Sequence, residues 1–264
     1  MSKSQFDREG FTGASRESLK QTQRARFADL FDLADNCSLL GMRTIHLFPP
    51  ELNKRKLVMK LYLHRVISHY QAAITLAESG MNVESLVLTR GLFETAFVML
   101  AIAEDAVTLG ELVDTDYANR NKQVNAILNG AKNYPSVAPY SDKLNAFSEK
   151  YKNTAPIDIR EFARRGDALP AYDGIYRNLS HYAAHPSLSA VDVYLTDREN
   201  GQLSVDYRAT TELTPRSIVA ACTGAIFGIS ACEKIGVVTD ESNSACAALF
   251  ARLEQLDAQY NPWR

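Results

Sequence analysis

From Ser217 to Cys232 the chain runs for sixteen residues without a charged side chain. That is short of the roughly 20 residues an α-helix needs to cross a bilayer, so the segment must find its apolar surroundings inside the folded protein. Ala220, Ala221, Gly224, Ala225, Gly228 and Ala231 line it with small side chains, which let neighbouring helices approach closely. A second apolar run, Val83 to Ala103, is broken only by Glu84, Arg90 and Glu94. A helix that is apolar nearly all round belongs in the middle of a bundle. Two such helices require a shell of amphipathic partners.

The rest of the chain supplies that shell. Ser15 to Leu40 is helical in pattern, with Phe27, Leu30, Phe31 and Leu33 on one stripe after the basic Arg16, Lys20, Arg24 and Arg26. Phe48-Pro49-Pro50 is a break, because proline cannot continue a helix and restricts the residue before it. Glu51 to Ser79 then reads as a long helix, with Met59, Tyr62, Leu63, Val66, Tyr70, Ala73, Ile74 and Ala77 at helical spacing and Gly80 as its stop. Asn82 is the expected N-cap of the next helix, which runs to about Asp105. Further helices are expected over Asp114 to Gly130, Ser141 to Tyr151, Tyr172 to Ala184, Thr214 to Ile235 and Asp240 to Tyr260. The stretch from about 153 to 170 reads as irregular, and residues 1–14 as loosely ordered.

The single β signal spans about 191–208. Val191, Val193 and Leu195 alternate with polar residues, as do Leu203, Val205 and Tyr207. A two-residue Asn200-Gly201 loop would put the two apolar rows on opposite faces. A three-residue Glu199-Asn200-Gly201 loop pairs Leu195 with Val205 and Val193 with Tyr207, with Gly201 in the left-handed conformation, so that both rows share one face. The hairpin is expected to lie as a flap on the bundle. With no repeat, linker or low-complexity run, the fold class is all-α: one domain over 1–264, a multi-helix bundle with one small β-hairpin.

Composition bounds the function. A net charge of −2 provides no basic field for long nucleic acid, although a small or locally bound RNA fits. Cys37, Cys222, Cys232 and Cys246 have neither CxxC nor zinc-ligand spacing and read as buried thiols of a reducing compartment. The first residues lack the apolar run of a signal peptide, so a cytoplasmic location is expected. No Walker loop, GxGxxG or GxSxG occurs. His64 and His69 are five apart, off one helix face, and there is no Glu-x-x-His pair for a di-iron centre. No metal or cofactor is expected.

Chemistry-bearing residues concentrate between Tyr176 and Pro186. Arg177, His181 and His185 follow one another at intervals of four, which stacks them on one face of a helix. A neutral histidine can take the proton of a ribose 2′-hydroxyl, a protonated one can donate to the leaving 5′-oxygen, and arginine can stabilise the phosphorane between them. The helix end before Pro186 favours a protonated His185. Tyr176, Asn178 and Ser180 are candidate binding or supporting groups. The same residues also suit a stabilised helix end, with Arg177 on a carboxylate, His185 on terminal carbonyls and the tyrosines packed. Arg90 and Glu94, four apart in the apolar helix, are either a structural ion pair or part of a site, since desolvated charges must be paired or bind an ion.

Arg90-x3-Glu94 followed by Tyr176-x3-Ser180-x4-His185-Pro186 resembles a broad bacterial family of helical proteins of unassigned function, over about Leu57 to Ser187. More distantly, Arg177-Asn178 followed by histidine resembles the HEPN superfamily of α-helical, usually dimeric proteins. That superfamily includes metal-independent endoribonucleases of toxin–antitoxin and anti-phage systems. Its motif places four to six residues between arginine and histidine; here His181 leaves three and His185 leaves seven. The resemblance implies a homodimer that cleaves or binds RNA in a bacterial stress or defence system. Arg177, His181 and His185 would be its catalytic residues, and Arg90, Glu94, Tyr176, Asn178 and Ser180 the supporting ones. The alternative is a non-catalytic module for a small anionic ligand or a protein partner, away from any membrane.

Overall fold

The computed structural model describes residues 5–51, 53–130, 135–181, 188–197 and 201–260. It is an all-α bundle with one two-stranded sheet among the described residues. Helices α1 (Gln5–Glu9), α2 (Ser15–Arg26) and α3 (Ala28–Leu47) lead to the long α4 (Lys54–Glu78) and α5 (Asn82–Ala103). Then follow α6 (Leu109–Gly130), α7 (Ser141–Tyr151) and α8 (Ile159–Arg165). A composite segment comes next: α9 (Leu169–Ala171), a π-helical turn (Tyr172–Tyr176) and α10 (Arg177–Leu179). The chain continues through α11 (Leu188–Val191), β1 (Leu195–Asp197) and β2 (Leu203–Val205), and closes with α12 (Thr214–Lys234) and α13 (Asp240–Tyr260).

The two apolar runs become α5 and α12, which pack on each other and on α4. Small residues set the spacing. A Cβ on Gly224 would fall 2.0 Å from Leu92 Cδ2, and one on Gly228 would fall 2.9 Å from Val66 Cγ1. Both α5 and α12 are long and apolar enough to cross a membrane by length and composition, yet most of each apolar window is buried inside the bundle. Around this trio stand α3 and α13, while α8 docks on α5. The fully buried Tyr70 donates its hydroxyl to the Ala34 carbonyl at 2.7 Å, tying α4 to α3. Gly80, at φ 75°, ends α4 as expected, with the Met81 N–H donating to the Leu76 carbonyl at 2.9 Å.

Several boundaries differ from the sequence expectation. The helix expected over Ser15 to Leu40 is two helices, broken at Phe27, whose ring is buried against Tyr260 at 6.0 Å between centroids. The second of them continues to Leu47. Asn82 is not the N-cap of α5. It is fully buried, and its amide donates to the Thr210 carbonyl at 2.7 Å and to Thr214 Oγ1 at 3.0 Å, which holds α12 against α5. Helix α6 starts at Leu109, five residues ahead of the expected start, behind a reciprocal pair: Thr108 N–H to Glu111 Oε2 at 2.8 Å and Glu111 N–H to Thr108 Oγ1 at 3.2 Å. The expected irregular stretch contains α8, capped by Asp158, which accepts from the Glu161 N–H at 2.7 Å.

In the hairpin, Leu195 pairs with Val205 and Thr196 with Ser204, and Gly201 has φ 72°. This is the register of the three-residue loop; residues 198–200 lie outside the described residues. The expected Val193–Tyr207 pair does not form, because Asp192–Tyr194 is a 3-10 turn from which the Tyr194 carbonyl accepts the Asp206 N–H at 2.7 Å. Leu203, Val205 and Tyr207 are exposed, so the apolar row faces solvent instead of lying on the bundle.

Candidate functional site

The composite segment is laid against α5 by its inward row, Tyr172, Tyr176 and Ser180. Its first turn is π-helical: the Arg177 N–H donates to the Tyr172 carbonyl, five residues back. Such a widened turn is a device found mostly at functional positions in helices. Here it keeps residues four apart in line. The Tyr172 and Tyr176 rings stack at 5.0 Å between centroids, and Phe97 of α5 meets Tyr176 edge-on at 6.0 Å.

Arg90 joins the segment to α5. Its Nε donates to Ser180 Oγ at 3.0 Å, and its Nη2 donates to the Tyr176 hydroxyl at 3.1 Å and pairs with Glu94 Oε1 at 3.0 Å. Tyr176 in turn donates to the same Glu94 oxygen at 2.8 Å. The guanidinium also lies 5.4 Å from the centre of the Tyr176 ring. Arg90 and Glu94 side chains are each 31% exposed, so the charges lie at the floor of an accessible surface rather than in the core. Arg90 Nη1 has no hydrogen-bond partner among the described residues. Burial, then the hydrogen bond to Glu94, pushes the Tyr176 hydroxyl above its ordinary value, so it stays protonated and donating at neutral pH.

Other predicted residues take the outer face. Arg177, Asn178 and His181 are exposed. Arg177 is 69% exposed and reaches Asp173 at 3.5 Å, a loose surface pair. The Asn178 amide donates to the Gly174 carbonyl at 2.8 Å. His185, with Tyr182 and Pro186, lies outside the described residues. The structure thus brings Arg90, Glu94, Tyr176 and Ser180 together, and sets Arg177 and His181 on the solvent side of the same segment.

One residue at this site was not in the expected set. His69 of α4 lies against α5 at Gly91, where a Cβ would come within 3.4 Å of its Cε1. Its Nδ1 is buried with no hydrogen-bond partner among the described residues. Burial, with Arg65 second, holds its pKa below the ordinary histidine value, opposed by the Gly91 backbone and by Glu94. The sequence signal was present in Gly91, a residue without a side chain beside Arg90 on a helix that is otherwise densely apolar. The N-terminal basic row, by contrast, is largely neutralised: Lys20 and Arg24 pair with the buried Glu78 at 3.1 and 2.7 Å, and Arg26 pairs with Glu212 at 3.0 Å.

Comparison with curated proteins and with solved structures finds no match. Residues 56–203 match a family described as a family of unknown function, DUF5677, and this span holds both Arg90-x3-Glu94 and the Tyr176-to-Pro186 motif. Since the match covers more than half of the chain, the protein belongs to the DUF5677 family.

Proposed function

We propose that this protein binds RNA through its phosphates at the surface formed by Arg90, Arg177 and His181, and cleaves the bound strand without a metal ion, as a cytoplasmic homodimer of the HEPN kind. The observation that carries the reading is the arrangement of Arg90. Two of its three nitrogens are spent on Ser180, Tyr176 and Glu94, which fixes the guanidinium plane, while Nη1 remains for a phosphate oxygen. Arg177 is a second cation on the same segment. Its surface pair with Asp173 is worth about 0–1 kcal/mol, so an incoming phosphate displaces it at little cost.

In the reaction, His181 or His185 takes the proton of a ribose 2′-hydroxyl as that oxygen attacks the adjacent phosphorus. The bond to the 5′-oxygen breaks, and the other histidine, in its protonated form, supplies the proton for that oxygen. The products are a 2′,3′-cyclic phosphate and a 5′-hydroxyl. The two arginines stabilise the negative charge that builds on the phosphorane.

The test is incubation of purified protein with cellular RNA in EDTA, with filter binding measured in parallel, beside Arg177→Ala, His181→Ala and His185→Ala. Cleavage lost in the histidine variants, with binding weakened in Arg177→Ala, is the expected result. Cleavage that survives all three substitutions rejects these residues as the site. Binding without cleavage leaves a recognition module and overturns the nuclease half. Tight binding of a small anion with no RNA binding would favour the alternative ligand class.

A further inference from the structure

Resting on that reading, we propose that His69 is a ligand-binding residue of the same site, and that its imidazole takes up a proton as a phosphate group settles on Arg90. The argument begins with charge. Arg90 is already compensated by Glu94 at 3.0 Å, so a phosphate arriving at Nη1 adds negative charge beside an existing carboxylate. Such a site is favourable only if positive charge arrives with the anion, by movement of a cation or by protonation of a neutral group. Arg177 is displaced outward on the surface and bound to Asp173. The neutral group within reach is His69.

Three features place it there. Gly91 follows Arg90 in α5, and its missing side chain lets the His69 ring lie directly on the helix, close to the first turn of the Arg90–Glu94 pair. Nδ1 is buried and has no partner among the described residues, an arrangement that costs free energy unless the site uses the nitrogen. The charged groups that act on the ring come from both packed helices: Arg65 of α4 opposes protonation, and Glu94 of α5 favours it. In the empty site burial and Arg65 prevail and the ring is neutral. An added phosphate offsets Arg65 and reinforces Glu94, which tips the balance towards the imidazolium. Arg65 lies one helical turn from His69 on the same face of α4, so the bound strand would pass over both.

Linkage converts this into a measurable slope. If one proton is taken up per phosphate bound, affinity falls about tenfold per pH unit once the pH exceeds the pKa of His69 in the complex. The experiment is NMR of the intact protein with ring-labelled histidine. The five histidines are assigned by single His→Gln variants and titrated with a short single-stranded oligoribonucleotide at pH 7. The expected result is a shift of the His69 resonance to its protonated position on binding, and loss of at least half of the logarithmic pH slope of affinity in His69→Gln. Circular dichroism identifies any variant that fails to fold, and the wild-type resonance decides the matter without it. A His69 signal that stays at its neutral position while the RNA binds overturns this proposal and leaves the RNA reading standing. Absence of any RNA binding overturns both.

Discussion

Gly166 offers a test of how the site segment is anchored. It closes α8 at φ −92° and ψ 11°, angles open to any residue, so alanine meets no backbone obstacle. On conformational entropy alone, Gly→Ala would stabilise by about 0.4–1 kcal/mol. The position forbids that gain. A Cβ would lie 2.7 Å from Leu100 Cβ, 2.8 Å from the Ala101 backbone nitrogen and 3.1 Å from the Leu100 carbonyl carbon. None of these is the end of a flexible side chain; all belong to α5 at the centre of the bundle. Overpacking costs about 1–3 kcal/mol, and a backbone obstacle puts this case in the upper half. The net expectation is a loss of about 1.5–2 kcal/mol, which lowers Tm by roughly 3–8 °C for a chain of this size. Urea unfolding and calorimetry of Gly166→Ala read it directly. Gly174→Ala is the control, since its Cβ would meet nothing within 4 Å. Gly166→Ala as stable as wild type would refute the close docking of α8 on α5.

Three further outcomes follow from the structure. Burial pushes the Cys232 and Cys246 thiols up to about 12. The unfolded chain therefore loses thiol protons that the folded chain keeps, and stability falls as pH rises from about 8.5 toward 12. A Cys232→Ala/Cys246→Ala variant should show a shallower decline in urea midpoint; an identical decline would contradict the assignment. At acid pH, Glu111 is held down to about 2 by the Thr108 N–H and by Arg165, and Glu161 is held to about 2 by Arg164 and Arg165. The stability these carboxylates contribute is present above their ordinary 4.5 and is lost as pH falls toward 2. Carboxyl NMR titration of Arg165→Met should move both midpoints upward, and unchanged midpoints would show that Arg165 does not hold them. Sedimentation at micromolar concentration is expected to give a dimer; a monomer would remove that part of the proposed function.

Legibility in the sequence followed the physics of each segment. The central helices were readable because burial all round leaves an apolar run, and Gly80 and Pro49-Pro50 punctuate backbone conformation directly. The hairpin register was readable from side-chain alternation and Gly201. The break at Phe27 was not, since no proline or glycine marks it and the cause is packing against Tyr260, 233 residues away in the sequence. Asn82 carries the side chain of an N-cap and is used instead to join α5 to α12, a tertiary override of a local rule. Thr108-x-x-Glu111 and Asp158-x-x-Glu161 were available cap signals and would have placed the starts of α6 and α8. The π-helical turn has no compositional mark, so the alignment of Tyr172, Tyr176 and Ser180 toward Arg90 emerged only in three dimensions. The residues of the inner cluster were all named from the sequence; the share of His69 was hidden because its partner is a glycine on another helix.

The central claim is that Arg177 and the Arg90 cluster hold RNA phosphate. Fluorescence anisotropy of a short single-stranded oligoribonucleotide across a salt series tests it most directly. Arg177→Ala changes an exposed residue and should leave the fold intact. If its guanidinium contacts one phosphate, the slope of log affinity against log salt falls in magnitude by about 0.7 relative to wild type. Binding that keeps the wild-type slope and affinity in Arg177→Ala, or no binding by the wild-type protein at low salt, would contradict the account.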